Sequence, residues 1–115
     1  MADRERILQI NALLRKHLAE LIRTRYETSR QALVTISRVE ATGNLQQANA
    51  YISVLPEEHS DEVVKQLQQQ VHFIQKELNK QLAMRPVPRI KFLPDKQEAH
   101  AQKIRGLLDK IREEE

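Results

Sequence analysis

Hydrophobic residues follow two different spacings along this chain, and the changes of spacing divide it into helices and strands. Near the N-terminus apolar residues recur every three or four positions, which predicts one buried face of a first helix. The residues of this face are Ile7, Ile10, Leu14, Leu18 and Leu21. Residues that favour turns and caps between Tyr26 and Ser29 predict the end of this helix.

The next segments have the composition and period of strands. Residues Leu33 to Val39 are rich in β-branched side chains and predict a first strand. Between Gln47 and Val54, small or apolar residues alternate with polar ones, which predicts a second strand with one buried face. Residues 41–44, which include Gly43 and Asn44, tolerate the positive φ angles of a hairpin turn.

A long helix with an internal break is predicted after Pro56. Ser60 is the expected N-cap, and the apolar stripe comprises Val64, Leu67, Val71, Ile74, Leu78 and Leu82. An unbroken helix from Asp61 to Met84 would be about 36 Å long. It would overhang a domain with a radius of gyration near ~13 Å. It would also leave Phe73 opposite the stripe. A break at Gln70, Val71 and His72 resolves both problems.

The last third of the chain predicts a strand and a helix. Pro86 and Pro88 stop the preceding helix, and residues 89–93 read as a short third strand. Asp95 with Glu98 forms a capping-box pattern. An amphipathic helix over 96–112 and an acidic tail over 113–115 follow. The order α-β-β-α-β-α predicts an α+β fold with the last helix packed on a three-stranded sheet. We expect one domain over 1–115, with its core at about 4–93.

Composition narrows the class of protein. The 115 residues are 40% hydrophobic, 30% charged and only 3% aromatic, which suits one globular domain but not a sheet that stacks bases. Cysteine is absent, and the charged start does not predict a signal peptide. No apolar run has the ~18 residues of a membrane span. We therefore expect a cytoplasmic protein.

The sequence has no recognisable motif for metal binding, phosphate binding or catalysis. The four histidines show no metal-ligand spacing, and the chain has no glycine-rich phosphate loop. No Ser-His-acid arrangement is recognisable. We expect no metal, no cofactor and no enzyme activity.

Positive charge is unevenly distributed. The net charge is only +3, yet Lys76 to Lys91 contains five basic residues and one acid, Glu77. The first thirty residues contain seven arginines and lysines against four acids. Clusters of this kind favour a polyanionic partner, although a solvated surface is the simpler interpretation of any one stripe.

Several segments together resemble the ribosome-binding factor A family. The matching segments are Ala32 to Glu40, Asn44 to Val54, Phe73 to Leu78, Met84 to Phe92 and Asp95, in register over roughly residues 4 to 112. The resemblance implies a type II KH-like fold. It also implies a monomeric assembly factor that binds the immature 30S subunit and its 16S rRNA, assists 5′-end maturation and serves growth in the cold. Neither DNA nor a membrane is an expected partner.

The family's Ala-X-Gly kink aligns with Gln70, Val71 and His72, and Gln75 stands where the family has arginine. A KH domain that clamps nucleic acid also uses a GXXG loop, which this chain lacks. The small residues that would let RNA approach the backbone are therefore missing here.

Candidate rRNA contacts lie on two parts of the chain. On the long helix and the turn after it we expect Lys65, Gln69, His72, Gln75, Lys76, Lys80, Arg85 and Arg89. Second candidates are Arg15, Lys16, Arg23 and Arg38. Tyr51 is either a cross-strand partner or an RNA contact. The alternative function is a protein-interaction module with a merely solvated basic face.

Overall fold

The computed structural model describes residues 3–25 and 32–114, and within them the predicted order of elements is confirmed. The predicted end of the first helix, at 26–29, lies outside the described residues. The helices are α1 (Arg4–Arg25), α2 (Ser60–Gln69), α3 (Val71–Gln81) and α4 (Lys96–Glu114), with a short 3-10 helix at Glu57–His59. The strands are β1 (Leu33–Ala41), β2 (Gln47–Leu55) and β3 (Arg89–Pro94).

The three strands form one sheet in the order β1-β2-β3. Strand β1 pairs antiparallel with β2, as a hairpin requires, whereas β3 returns parallel to β2 after the two middle helices. The register of β1 shifts between Ile36 and Arg38, which marks a bulge at Ser37. The mixed sheet places β1 and β3 at its two edges.

The core lies between one face of the sheet and helices α1, α2 and α3. On β2 the predicted alternation is confirmed, because Ala48, Ala50 and Ile52 are fully buried while Asn49 and Tyr51 are not. Helix α1 contributes its predicted face to this core except for Ile7, which is half-buried, and adds Ile22. Both middle helices contribute to the core as well. In α2, however, Val63 is the buried valine and Val64 is only half-buried, so the predicted stripe was one position off there.

The start of α2 differs from the prediction that Ser60 is its N-cap. The 3-10 helix runs directly into α2, and His59 occupies the capping position without a side-chain hydrogen bond. Ser60 already has helical angles, φ −58° and ψ −50°, and its N–H donates to the carbonyl of Glu57. Because the preceding turn makes Ser60 the first residue of α2, Ser60 cannot be the N-cap, which lies one residue before the helix.

The hairpin between β1 and β2 turns at a residue other than those predicted. Leu45 has a φ of 58°, whereas Gly43 does not adopt a positive φ. The carboxamide oxygen of Asn44 accepts hydrogen bonds from the Thr42 hydroxyl at 2.6 Å and from the Gln46 N–H at 3.2 Å. These local bonds support the turn, so that Leu45 rather than the glycine takes the left-handed conformation.

Helix α4 is the part of the fold that departs most from expectation. Its apolar residues Ile104, Leu107, Leu108 and Ile111 are 44% to 62% exposed, so the expected packing of this helix on the sheet was wrong. One sheet face is already covered by the other helices, and the opposite face presents polar side chains such as Asn49 and Lys91. The helix also runs through Glu113 and Glu114, which we expected in a frayed tail.

No helix among residues 3–25 and 32–114 is long and apolar enough to cross a membrane.

Candidate RNA-binding surface

The break between α2 and α3 is confirmed at Gln70. This residue has φ −101° and ψ 8°, and its N–H donates to the Leu67 carbonyl at 3.0 Å, three residues back instead of four. Regular bonding resumes where the N–H of Ile74 donates to Gln70 at 3.1 Å. A residue other than glycine can adopt these angles because φ stays negative. The chain therefore makes the predicted break without a glycine.

The expectation that this break removes Phe73 from solvent was wrong. Phe73 is 72% exposed, while Ile74 beside it is fully buried. After the break, α3 is oriented so that Ile74 and Leu78 point into the core. Phe73 lies about 100° around the helix from Ile74 and consequently projects outward.

Most of the predicted contact residues on α2 and α3 are exposed. Lys65 and Gln69 lie on α2, whereas His72, Lys76 and Lys80 lie on α3, and all five side chains are exposed. The break falls between Gln69 and His72, as the prediction required. The ammonium of the exposed Lys80 lies 3.4 Å from the carboxylate of the half-buried Glu77, a surface pair that contributes little to stability.

Gln75 contacts the backbone of β3. Its side-chain oxygen accepts from the Ile90 N–H at 2.9 Å, and its amide nitrogen donates to the Pro88 carbonyl at 3.1 Å. Gln68 acts similarly, since its oxygen accepts from the Phe92 N–H at 3.0 Å. The outer edge of β3, which would otherwise have open donors, is thus paired by two glutamines. The sequence alone does not predict this role, because the role depends on which strand edge lies beside each helix in the folded protein.

Arg85 binds the backbone immediately after α3. Its guanidinium donates to the carbonyls of Leu82 at 2.6 Å and Met84 at 2.7 Å. A cation at this position stabilises the negative end of the helix dipole. Arg89 is exposed at the start of β3 and lines a cleft of about 540 Å³ against the β1–β2 turn.

The candidates on α1 lie along a groove between that helix and β1. The groove has a volume of about 760 Å³, and its lining includes Arg15, Lys16 and Arg23. Arg15 donates to the Ile36 carbonyl at 3.1 Å on the free edge of β1. Arg23 pairs with Glu20 at 2.6 Å, and its hydrogen bond and charge hold the pKa of that carboxyl below the ordinary value. Lys16 is exposed.

Arg38 is held by neighbours on the outer face of the sheet. Its guanidinium carbon lies 4.1 Å from the ring centre of Tyr51, its cross-strand partner. It also donates to Gln97 at 2.8 Å and lies 3.4 Å from Glu40. Of the two interpretations of Tyr51, this contact favours the cross-strand partner.

Two further contacts tie the helices and strands together. The Ser37 hydroxyl donates to the buried carboxylate of Asp95, immediately before α4. The half-buried His17 on α1 shares a 2.8 Å hydrogen bond with Gln81 at the end of α3. The side chain of Glu98, the other half of the predicted capping box, is outside the described part of the chain.

The sheet, the broken helix pair and the basic surface on α3 define a KH-like α+β protein. A family model for ribosome-binding factor A matches residues 6–108, nearly the whole chain. The chain belongs to the ribosome-binding factor A family. A ribosome-binding factor A from Prochlorococcus marinus is 35% identical over 114 residues, which cover 96% of this chain and 93% of that protein.

Solved structures agree with this assignment. A putative ribosome-binding factor A from Thermotoga maritima is 26% identical with a TM-score of 0.67, covering 81% of this chain and 90% of that one. A homology model of the Thermus thermophilus ribosome-binding factor A, as fitted into the cryo-EM map of a 30S complex, is 28% identical with a TM-score of 0.61. That match covers 72% of this chain and 88% of the other.

Proposed function

We propose that this protein binds the immature 30S ribosomal subunit through its 16S rRNA and assists maturation of that RNA, including its 5′ end. It acts in the cytoplasm as a monomer, by binding and positioning rather than by catalysis, and supports growth in the cold. Family membership and the 30S complex recorded for the Thermus relative support the partner. DNA and membranes are not part of this proposal.

The observation that carries the proposal is the outward basic face of α3. Lys76 and Lys80 are exposed on the helix that follows the break, and Arg89 is exposed at the start of β3. Long cationic side chains can follow a phosphate backbone without reading base sequence. Lys65, Gln69 and His72 are exposed extensions of the surface. Gln75 and Arg85 help to position this surface, because their side chains are hydrogen-bonded to the backbone.

The test is co-sedimentation with immature 30S subunits before and after charge reversal. The variant combines Lys76→Glu and Lys80→Glu, and it leaves Arg85 unchanged because that side chain bonds the backbone after α3. Two such changes lower the formal net charge from +3 to −1, since each replaces +1 by −1. We expect at least a tenfold loss of affinity, because two phosphate contacts are replaced by repulsion.

The matched control is Lys103→Glu with Lys110→Glu on α4, which changes the net charge equally at two other exposed positions. If both pairs weaken binding to the same extent, overall charge rather than the α3 face determines affinity. If neither pair weakens it, the contact is not electrostatic.

A second candidate function has one specific observation in its favour. The apolar stripe of α4 is exposed, as in helices that dock a protein partner. In that case the α3 reversal leaves co-sedimentation intact, whereas Leu107→Ser with Ile111→Ser abolishes it. The two functions therefore give opposite results in the same assay.

A further inference from the structure

Phe73 presents an aromatic ring to solvent that the fold does not explain. Its side chain is 72% exposed in the first turn of α3, three residues after the break. Within residues 3–25 and 32–114 it is the one exposed phenylalanine or tyrosine side chain, since Tyr51 is half-buried against Arg38 and Phe92 is buried. Exposing a ring of this size forgoes the free energy of burying it, so its retention there suggests a partner.

The surroundings of the ring are polar and basic. Lys76 and Lys80 follow it at three and seven residues, within about 60° on the same side of the helix. His72 and Gln69, its neighbours towards the break, are also exposed. The acid on this side is Glu77, which already pairs with Lys80. The ring therefore lies at one end of a cationic row rather than inside an apolar patch.

We propose that Phe73 stacks against an unpaired base of RNA while Lys76 and Lys80 contact the adjoining phosphates. This inference rests on the proposed function and adds a base-stacking residue to it. Proteins recognise single-stranded RNA by stacking splayed bases on aromatic side chains, and any base has a face for such stacking. A ring beside cations suits this ligand, because a base and its phosphates present an aromatic face and negative charge together.

Beside α3, the outer edge of β3 does not compete for the same RNA strand, because its backbone donors are already hydrogen-bonded. Along β3 the outward N–H groups of Ile90 and Phe92 already donate to Gln75 and Gln68. An RNA strand that approaches this side of the protein therefore meets the outer face of α3. That face ends at the break, where Phe73 is placed.

The first experiment compares three variants for binding to immature 30S subunits. Phe73→Ala is expected to weaken binding about tenfold, since it removes one stacking contact. Phe73→Trp should bind at least as well as the original protein. Leu8→Ala, which truncates another exposed apolar side chain on α1, should have no effect. Thermal unfolding should be unchanged for Phe73→Ala, because the side chain is mostly in solvent.

The second experiment uses the absence of tryptophan from the chain. In the Phe73→Trp variant the new indole is the single tryptophan of this chain. Because ribosomal proteins contain tryptophans of their own, the original protein mixed with the same 30S subunits is the blank that is subtracted. Stacking on a base should quench its emission when 30S subunits are added. A blue-shifted and brighter emission would instead place the ring in an apolar protein pocket and overturn the inference.

Equal binding by Phe73→Ala and the original protein would also overturn it, while leaving the proposed function intact. Failure of the original protein to bind 30S subunits would instead defeat the proposed function itself.

Discussion

The side-chain oxygen of Gln75 accepts a hydrogen bond from the backbone N–H of Ile90 at 2.9 Å. The same amide donates to the Pro88 carbonyl, so one side chain of α3 holds the chain as it enters β3. Ile90 is buried, and its N–H would otherwise lack a partner on the edge of the sheet. This bond therefore couples the helix after the break to the parallel strand of the sheet.

We predict that Gln75→Leu lowers the free energy of unfolding by about 1–3 kcal/mol, because it leaves the Ile90 N–H unpaired. Thermal unfolding should detect a fall of several degrees in Tm. The control is Gln69→Leu, an exposed glutamine whose loss should change the free energy of unfolding by less than about 0.5 kcal/mol. An equal fall in both variants would mean that the bond to β3 contributes nothing specific.

The contact between Ser37 and Asp95 leads to a second prediction. The carboxylate accepts from the Ser37 hydroxyl and lies at the residue before α4, where a negative charge stabilises a helix. Asp95→Ala should therefore cost about 1 kcal/mol and speed amide hydrogen exchange in the first turns of α4. Asp109→Ala, an exposed change within the same helix, should leave exchange there unaltered.

Much of the fold follows from local pattern. Strand β2 could be predicted because Ala48, Ala50 and Ile52 alternate with polar neighbours, and this period depends on no distant residue. The break at Gln70 could also be predicted, since a straight helix would have been too long for the domain. Length and period are properties of the segment itself.

The orientation of α3 after the break could not be predicted in the same way. Whether Phe73 is buried depends on how far the second helix turns, and packing of Ile74 and Leu78 settles this. The role of Gln75 depends on which strand edge arrives beside it. The stripe of α4 predicted burial, but no free apolar face of the sheet remains to receive it. These three features each depend on a contact between distant segments, unlike the local errors at Ser60 and in the hairpin turn.

The pKa of Glu20 gives a third prediction. Its hydrogen bond to Arg23 and the charge of that residue lower the pKa from 4.5. Arg23→Gln should return it towards the ordinary value, which an NMR titration of the carboxyl can follow. A lowered folded-state pKa means that the pair's contribution is present above the unfolded value and is lost as pH falls through the folded one. Because both groups are exposed, Tm at neutral pH should not change measurably.

Binding to 30S subunits should depend steeply on salt. If about six phosphates are neutralised, affinity should fall about 10³-fold between 50 and 200 mM monovalent salt. The plot of log affinity against log salt should have a shallower slope in the Lys76→Glu, Lys80→Glu variant, because two phosphate contacts are lost and each contributes ~0.9 to the slope. A slope that is flat for the original protein would contradict the electrostatic mechanism. The Lys103→Glu, Lys110→Glu variant should retain the original slope.

Adjacent residues of α3 should respond in opposite ways to the same truncation. Ile74 is fully buried in the core, so Ile74→Ala should lower the free energy of unfolding by about 2–5 kcal/mol through lost burial and the cavity left behind. Phe73→Ala should leave stability unchanged, because its ring is mostly in solvent. Urea unfolding of both variants measures this difference directly. Comparable destabilisation by Phe73→Ala would show that the ring packs inward, and would remove the basis for its contact with RNA.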